Sequence, residues 1–291
     1  MKRFLTLLAA TLLAALPFQA ARAASPDPAS ASRESRDYQL RSFEGLDISW
    51  TYKVELSRDS RYHVSVEAPD FIFPYLRVEV RNGVLTLGVR ELPQNIRKKI
   101  EALSRSGEIR AKVSMPELTY LEMSGASQLS TQDEFLHRND KFRMRLSGAV
   151  SVRGLALKAV EADINCSGAA KFDLKGDFDR VDLDLSGAVK GQLKTSPRVM
   201  QMNVSGAVTL EAEGETAELV VEGSGAARIN TSKAPARNAK VRLSGATRCD
   251  LDVRESLSVD LSGASSCRYH GPDGLRISTQ SVSRGASLTR Y

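Results

Sequence analysis

Along the second half of the chain, apolar and polar residues alternate, and the alternation restarts at a nearly fixed interval. The restart is marked by Ser-Gly-Ala, beginning at Ser124, Ser147, Ser167, Ser186, Ser205, Ser224, Ser244 and Ser262, with Ser283-Arg284-Gly285-Ala286 as a degenerate ninth copy. The steps between serines are 23, 20, 19, 19, 19, 20 and 18 residues. Two residues before each glycine stand Met123, Leu146, Cys166, Leu185, Val204, Gly223, Leu243 and Leu261. Four before it stand Leu121, Met144, Ile164, Leu183, Met202, Val221, Val241 and Val259, and the residues between these columns are polar. That is the period of a strand with one buried face. Four residues after the glycine a second apolar column runs through Leu129, Val152, Phe172, Leu210, Ile229, Cys249 and Cys267, interrupted by Gly191.

Each unit therefore reads as strand, bend, strand and short polar return. Such a unit buries its apolar face only by stacking on its neighbours. The expected fold is all-β, a single-stranded parallel β-helix (β-solenoid) of coils about 20 residues long, built from residues 118–291. Glycine at the bend allows a conformation that a Cβ would penalise, and serine can hydrogen-bond locally. Alanine is expected to turn inward there.

The first part of the chain is organised differently. Met1–Ala23 reads as an export signal, with Lys2 and Arg3 before an apolar run from Leu5 to Leu16 and a small-x-small site at Ala21-Arg22-Ala23. The run is too short to span a bilayer. Residues 24–37, rich in Ser, Pro and Ala, read as a flexible leader. Residues 38–117 form an expected β-rich cap. In it, Leu46 to Leu56 alternates as one long strand, and Asn82-Gly83 closes a hairpin that sets Val80 opposite Leu85 and Val78 opposite Leu87. After Pro93, Ile96, Ile100 and Leu103 share one face of a short basic helix, with Ser106-Gly107 as its stop. Nine of the fifteen aromatics left after cleavage lie in residues 38–120, a bulky core suited to covering the first coil.

Charge and chemistry narrow the function. Cleavage would lower the formal charge from +6 to +3, too modest an excess to indicate nucleic acid. His63, His137 and His270 are far apart without a ligand pattern, and the glycines follow the coil period and not a phosphate loop, so no metal or cofactor is expected. Asp163, Asp182 and Asp184 project outward from two neighbouring coils and are the candidate wall carboxylates for a polysaccharide-processing enzyme. Their alternative role is ordinary charge pairing on a wet face. A groove lined by all three with long basic side chains would favour the enzyme, and a flat charge mosaic would favour binding. Cys249 and Cys267 hold the same position in consecutive coils, close enough in such a fold for a disulfide or for two stacked, reduced thiols. Thr279, Ser281 and Ser283 replace apolar residues in the last copy, so the C-terminal end is expected to be poorly capped and open to end-to-end self-association.

The run Arg41-Ser42-Phe43-Glu44-Gly45-Leu46-Asp47-Ile48 resembles the opening of the putative auto-transporter adhesin head GIN domain family. Val64-Ser65-Val66-Glu67-Ala68, the strand around Asn82-Gly83-Val84-Leu85, and Met115-Pro116-Glu117-Leu118 leading into the first Ser-Gly-Ala are similar to it too. The resemblance implies a secreted right-handed β-helical domain of bacterial cell envelopes, in the periplasm or at the surface, without accepted catalytic residues. Its name suggests adhesion to an envelope polysaccharide or surface protein. No C-terminal run of strands long enough for an outer-membrane barrel follows, so a complete autotransporter is not expected.

Overall fold

The computed structural model describes residues 32–103 and 108–291. The expected export signal, the leader up to residue 31 and the Ser106-Gly107 stop lie outside the described residues. The rest forms a β-solenoid of about eight turns. No described helix is long and apolar enough to cross a membrane.

Two walls meet at the Ser-Gly-Ala bends. On the wall before the bends, β5 (Leu76–Arg81) pairs antiparallel with β6 (Val84–Val89), and from β6 onward the pairing is parallel. It runs through β2 (Gly45–Ile48) and β8 (Tyr120–Met123) to β10 (Glu134–Leu146), β11 (Ser151–Cys166) and β12 (Lys171–Leu185). It continues through β14 (Val199–Val204), β16 (Thr216–Gly223), β17 (Arg228–Leu243) and β18 (Arg248–Leu261) to β20 (Arg276–Val282). The wall after the bends starts with β1 (Arg33–Tyr38), β4 (His63–Pro69) and β7 (Ile109–Met115), paired antiparallel. It becomes parallel through β3 (Tyr52–Arg58) and β9 (Gln128–Ser130), and then takes in the first halves of β11 and β12. After β13 (Lys190–Lys194) and β15 (Thr209–Glu213) come the first halves of β17 and β18, β19 (Ser266–His270) and β21 (Ser287–Arg290).

The bends explain the tripeptide. From Gly125 to Gly263 each repeat glycine has φ between +67° and +83°, a region that favours glycine. From Ala149 to Ala264 the alanine N–H of each bend donates to the glycine carbonyl of the coil before, at 2.7–2.9 Å. A Cβ on Gly148 would lie 2.5 Å from the Gly125 oxygen, so conformation and stacking both exclude a side chain. The alanine does not turn inward as expected: Ala149, Ala169, Ala188 and Ala207 are exposed. The residue after it enters the core instead, as at Val150, Ala170, Val189 and Val208. Two of the polar residues at this position are satisfied locally, Ser127 Oγ donating to the Ser124 carbonyl at 3.0 Å and Thr247 Oγ1 to that of Ser244 at 2.9 Å, while Ser265 Oγ reaches the Leu243 carbonyl of the coil before at 3.5 Å.

Stacked columns build the core. Leu146, Cys166, Leu185 and Val204 lie in one in-register line, and Met144, Ile164, Leu183 and Met202 in another, all buried. Gly191 interrupts its column because the Phe172 ring of the preceding coil fills the space, 2.4 Å from where a Cβ would sit.

Three expectations about the ends change. Residues 33–37 are strand and not leader, because β1 finds an edge to pair with on β4. The run from Leu46 to Leu56 is two strands, broken at Trp50, whose φ is +71°. The Trp50 carbonyl accepts from the Ala126 N–H at 2.6 Å, so Ser49-Trp50-Thr51 is a bend underneath the first Ser-Gly-Ala, and coil stacking begins upstream of residue 118. At the other end, the extra Arg284 and a register shift in β20 place Val282, not Ser281 or Ser283, on Leu261. Val282 and Ile277 are nonetheless 41% and 42% exposed, since no described strand lies beyond them. The hairpin register is as expected, with Val80 opposite Leu85 and Val78 opposite Leu87. Helix α1 (Gln94–Ala102) packs Ile96 and Ile100 against the core and sets Lys99 over the Phe71 ring at 4.0 Å.

Candidate functional site

The bends create two open grooves, one on either side of the exposed Ser-Gly-Ala strip. The larger, about 970 Å³, lies on the serine side and extends from Glu122 to Asp260. Its outer rim is the polar column three residues before each glycine, including Arg145, Asn165, Asp184 and Arg242. Its inner rim is the serine ladder. Ser167, Ser186 and Ser262 make only long hydroxyl contacts, 3.4–3.5 Å, to carbonyls of the coil before. Their hydroxyls therefore remain available to a ligand in the groove. Arg242 is held by Glu222 of the neighbouring coil at 3.0 Å.

The three wall carboxylates are not gathered into one site. Asp163 and Asp182 are in-register neighbours on β11 and β12, outside this groove. Asp163 accepts from the Asn165 amide at 2.7 Å and lies 3.7 Å from Lys141. Asp182 is bound by both arms of Arg180 at 2.7 Å. Only Asp184 lines the groove, beside Asn165 and Asn203 of the adjoining coils.

The other candidates are also dispersed. His63 lies 3.9 Å from Asp37 on the strands that open the solenoid, and His270 lies 3.3 Å from Asp252 near its last coil. The His137 side chain is outside the described residues. Among the described residues no three ligating side chains converge on a metal position. Cys249 and Cys267 stand side by side on β18 and β19 as buried free thiols. Burial pushes the Cys267 thiol up to about 12, and that of Cys249 well above its ordinary value.

The second groove, about 340 Å³, lies on the alanine side over Ala207, Ala226, Ala246 and Ala264. Arg228 and Arg248 line it. They belong to a column three residues after the glycine, where Lys171, Lys190, Thr209, Arg228 and Arg248 follow one another in register. Alignment on the glycines displays this column, but neither apolar periodicity nor the search for paired carboxylates marks it.

The fold and its grooves define a β-solenoid repeat protein with long, solvent-open surfaces parallel to its axis. The chain belongs to the putative auto-transporter adhesin, head GIN domain family, whose sequence profile matches residues 42–195 and 166–272. No curated protein matches it. Among solved structures it is similar to a putative adhesin from Parabacteroides merdae ATCC 43184, at 12% identity and a TM-score of 0.56, covering 89% of this chain and 96% of that one. A putative adhesin from Parabacteroides distasonis ATCC 8503 is similar at 14% identity and a TM-score of 0.54, over 90% and 98% of the two chains. A putative lipid binding protein from the same strain is similar at 15% identity and 0.53, over 89% and 96%. At these identities the likeness is one of fold.

Proposed function

We propose that the protein is an exported, non-catalytic module of the bacterial cell envelope that binds a surface polysaccharide or protein along its solenoid wall. Family membership and the signal-like residues 1–23 support export and a surface role. The observation that carries the binding reading is the pair of grooves flanking the Ser-Gly-Ala strip, whose polar rims repeat coil after coil instead of converging on one point. Hydrolysis requires an acid and a base or nucleophile at a fixed separation about one bond. Here Asp163 and Asp182 are engaged by cations or amides, and Asp184 faces the groove without the other two. A binding screen of the mature protein against envelope polysaccharides and surface proteins, with analysis of the polysaccharides for cleavage, tests the reading. Retention without new chain ends is the expected result. Cleavage abolished by Asp184→Asn would establish the enzyme reading instead.

End-to-end self-association is part of the same proposal. The β20 edge carries Ile277, Thr279 and Val282 in the open, whereas β1 at the opposite end is blunted by Arg33, Glu34, Arg36 and Asp37. Light scattering should show a dimer that Thr279→Pro converts to monomer.

A further inference from the structure

Charges on this solenoid are often matched from coil to coil, and the like-charged in-register pairs Asp163/Asp182 and Lys175/Lys194 have counter-ions in Lys141, Arg180, Glu134 and Glu213. Glu213 stands between Lys194 and Lys233 in adjacent strands, 3.6 and 3.2 Å away, and the Lys233 hydrogen bond holds its carboxyl below the ordinary range. Arg268 grips Asp250 at 2.6 Å, Arg242 grips Glu222 at 3.0 Å, and Lys141 lies 3.6 Å from Glu161. The column three residues after the glycines departs from this pattern. Lys171 is in register with Lys190, and Arg228 with Arg248, and all four are exposed. Neighbouring strands are only about 4.8 Å apart, and like charges set directly opposite each other destabilise a sheet. Thr209 is the residue between the two pairs, and no carboxylate interrupts the line. The next outward column offers Asp173, Glu211 and Asp250. Asp250 is already held by Arg268, and among the described residues none of the three forms an ion pair with the four cations. Packing does not require this arrangement, since exposed lysines and arginines could be exchanged for neutral residues without disturbing the core.

We propose that this basic column, with the shallow alanine-side groove beside it, is a binding site for an extended anionic polysaccharide lying parallel to the solenoid axis. The inference rests on the binding reading above and supplies its ligand class and its location. A row of cations repeating at the strand spacing suits a polymer that carries carboxylate or sulfate groups at regular intervals. The exposed alanines Ala207, Ala226, Ala246 and Ala264 form a low floor that lets such a chain approach the backbone together with Arg228 and Arg248, and Lys190 and Lys171 continue the line on the coils before the groove. The column has no aromatic side chain on which a base could stack, as single-stranded nucleic-acid sites use. It also has no large apolar side chain to enter a bilayer, as membrane-surface sites need. Neutral sugars would find nothing to stack on either, so the attraction is mainly ionic and screened by salt.

The test compares the mature protein with two variants of equal charge change. In the first, Lys171→Gln, Lys190→Gln, Arg228→Gln and Arg248→Gln remove the column. In the second, Lys141→Gln, Lys158→Gln, Lys194→Gln and Lys233→Gln remove four cations that sit in ion pairs. The probes are polygalacturonate, dextran sulfate, neutral dextran, a single-stranded oligonucleotide and anionic phospholipid vesicles. The expected result is binding of the two acidic polysaccharides that weakens with salt. The column variant should lose about ten-fold or more in affinity, the rough sum of four exposed charge contacts, and the second variant should bind nearly as the wild type does. The column variant should also melt no lower than wild type, because it relieves like-charge repulsion. Equal weakening in both variants, no binding of either acidic polysaccharide, or tighter binding of oligonucleotide or vesicles would overturn the inference. If neutral dextran binds and the column variant keeps that binding, this site falls while the wider binding reading stands. Cleavage of the polysaccharide would sink the non-catalytic reading and leave the site intact.

Discussion

Phe172 and Gly191 are in-register neighbours on β12 and β13, and the phenyl ring occupies the space that a side chain on residue 191 would take. A Cβ there would come within 2.4 Å of the ring's Cζ and 3.0 Å of Leu210 Cδ1. The aromatic and the missing side chain therefore act as one packing unit. Phe172→Ala should destabilise by about 3–5 kcal/mol through the cavity it leaves, and Gly191→Ala by about 1–3 kcal/mol through overpacking. The double variant Phe172→Ala/Gly191→Ala should be more stable than the sum of its single variants predicts, with a coupling of about 0.5–3 kcal/mol. Urea unfolding of the single and double variants measures it, and strict additivity would show that the two positions are independent.

Two glycines with similar φ angles separate conformational strain from stacking. Gly83 has φ +75° and open space where a Cβ would sit, whereas Gly187 has φ +82° and a Cβ position 2.6 Å from the Gly168 carbonyl oxygen. Gly83→Ala should lose only the left-handed penalty, about 1–2 kcal/mol. Gly187→Ala should lose clearly more, because the bend must also move away from the coil before it. Thermal melts of the two variants side by side check this, and equal losses would mean that the stacked bends can separate freely.

For the wall carboxylates, Asp163→Asn, Asp182→Asn and Asp184→Asn should each change stability by no more than about 1 kcal/mol, the scale of exposed charge pairs. Asp182→Asn should have the largest effect, since it frees the doubly bonded Arg180. Polysaccharide retention should persist in all three. A loss of retention confined to Asp184→Asn would move the binding site to the serine side of the strip.

Cys249 and Cys267 remain the proposed site of a bridge between consecutive coils in an oxidising compartment. As buried thiols with raised pKa values they stay protonated at neutral pH, and protonated thiols exchange slowly. Protein kept reduced should resist alkylation while folded and take up three labels once unfolded, one for each cysteine. Exported protein unfolded without reductant should take up one label if the bridge forms. Three labels there would remove it.

The sequence alone carried the solenoid, its coil length, its buried columns and the hairpin register. Those features depend on periodicity and turn chemistry, which are local and recur in every coil. Periodicity says which residues share a face, but at a bend the face itself rotates. The exposed alanines and the inward residues that follow them were therefore decided by backbone dihedrals that only the stacked coils impose. Trp50 shows the same limit: nothing in its alternating neighbourhood marks a bend, and it adopts one because β2 and β3 must lie beneath the first Ser-Gly-Ala. The candidate site divides in the same way. Asp163, Asp182 and Asp184 could be placed on one outward face from spacing, but their ion pairs, and the absence of two of them from the groove, depend on side-chain positions across coils. The basic column was present in the glycine alignment, yet its meaning came from the tertiary structure. There, Lys171 stands against Lys190 and Arg228 against Arg248 with no carboxylate between them, whereas Lys233 on the same wall is held by Glu213 of the coil before.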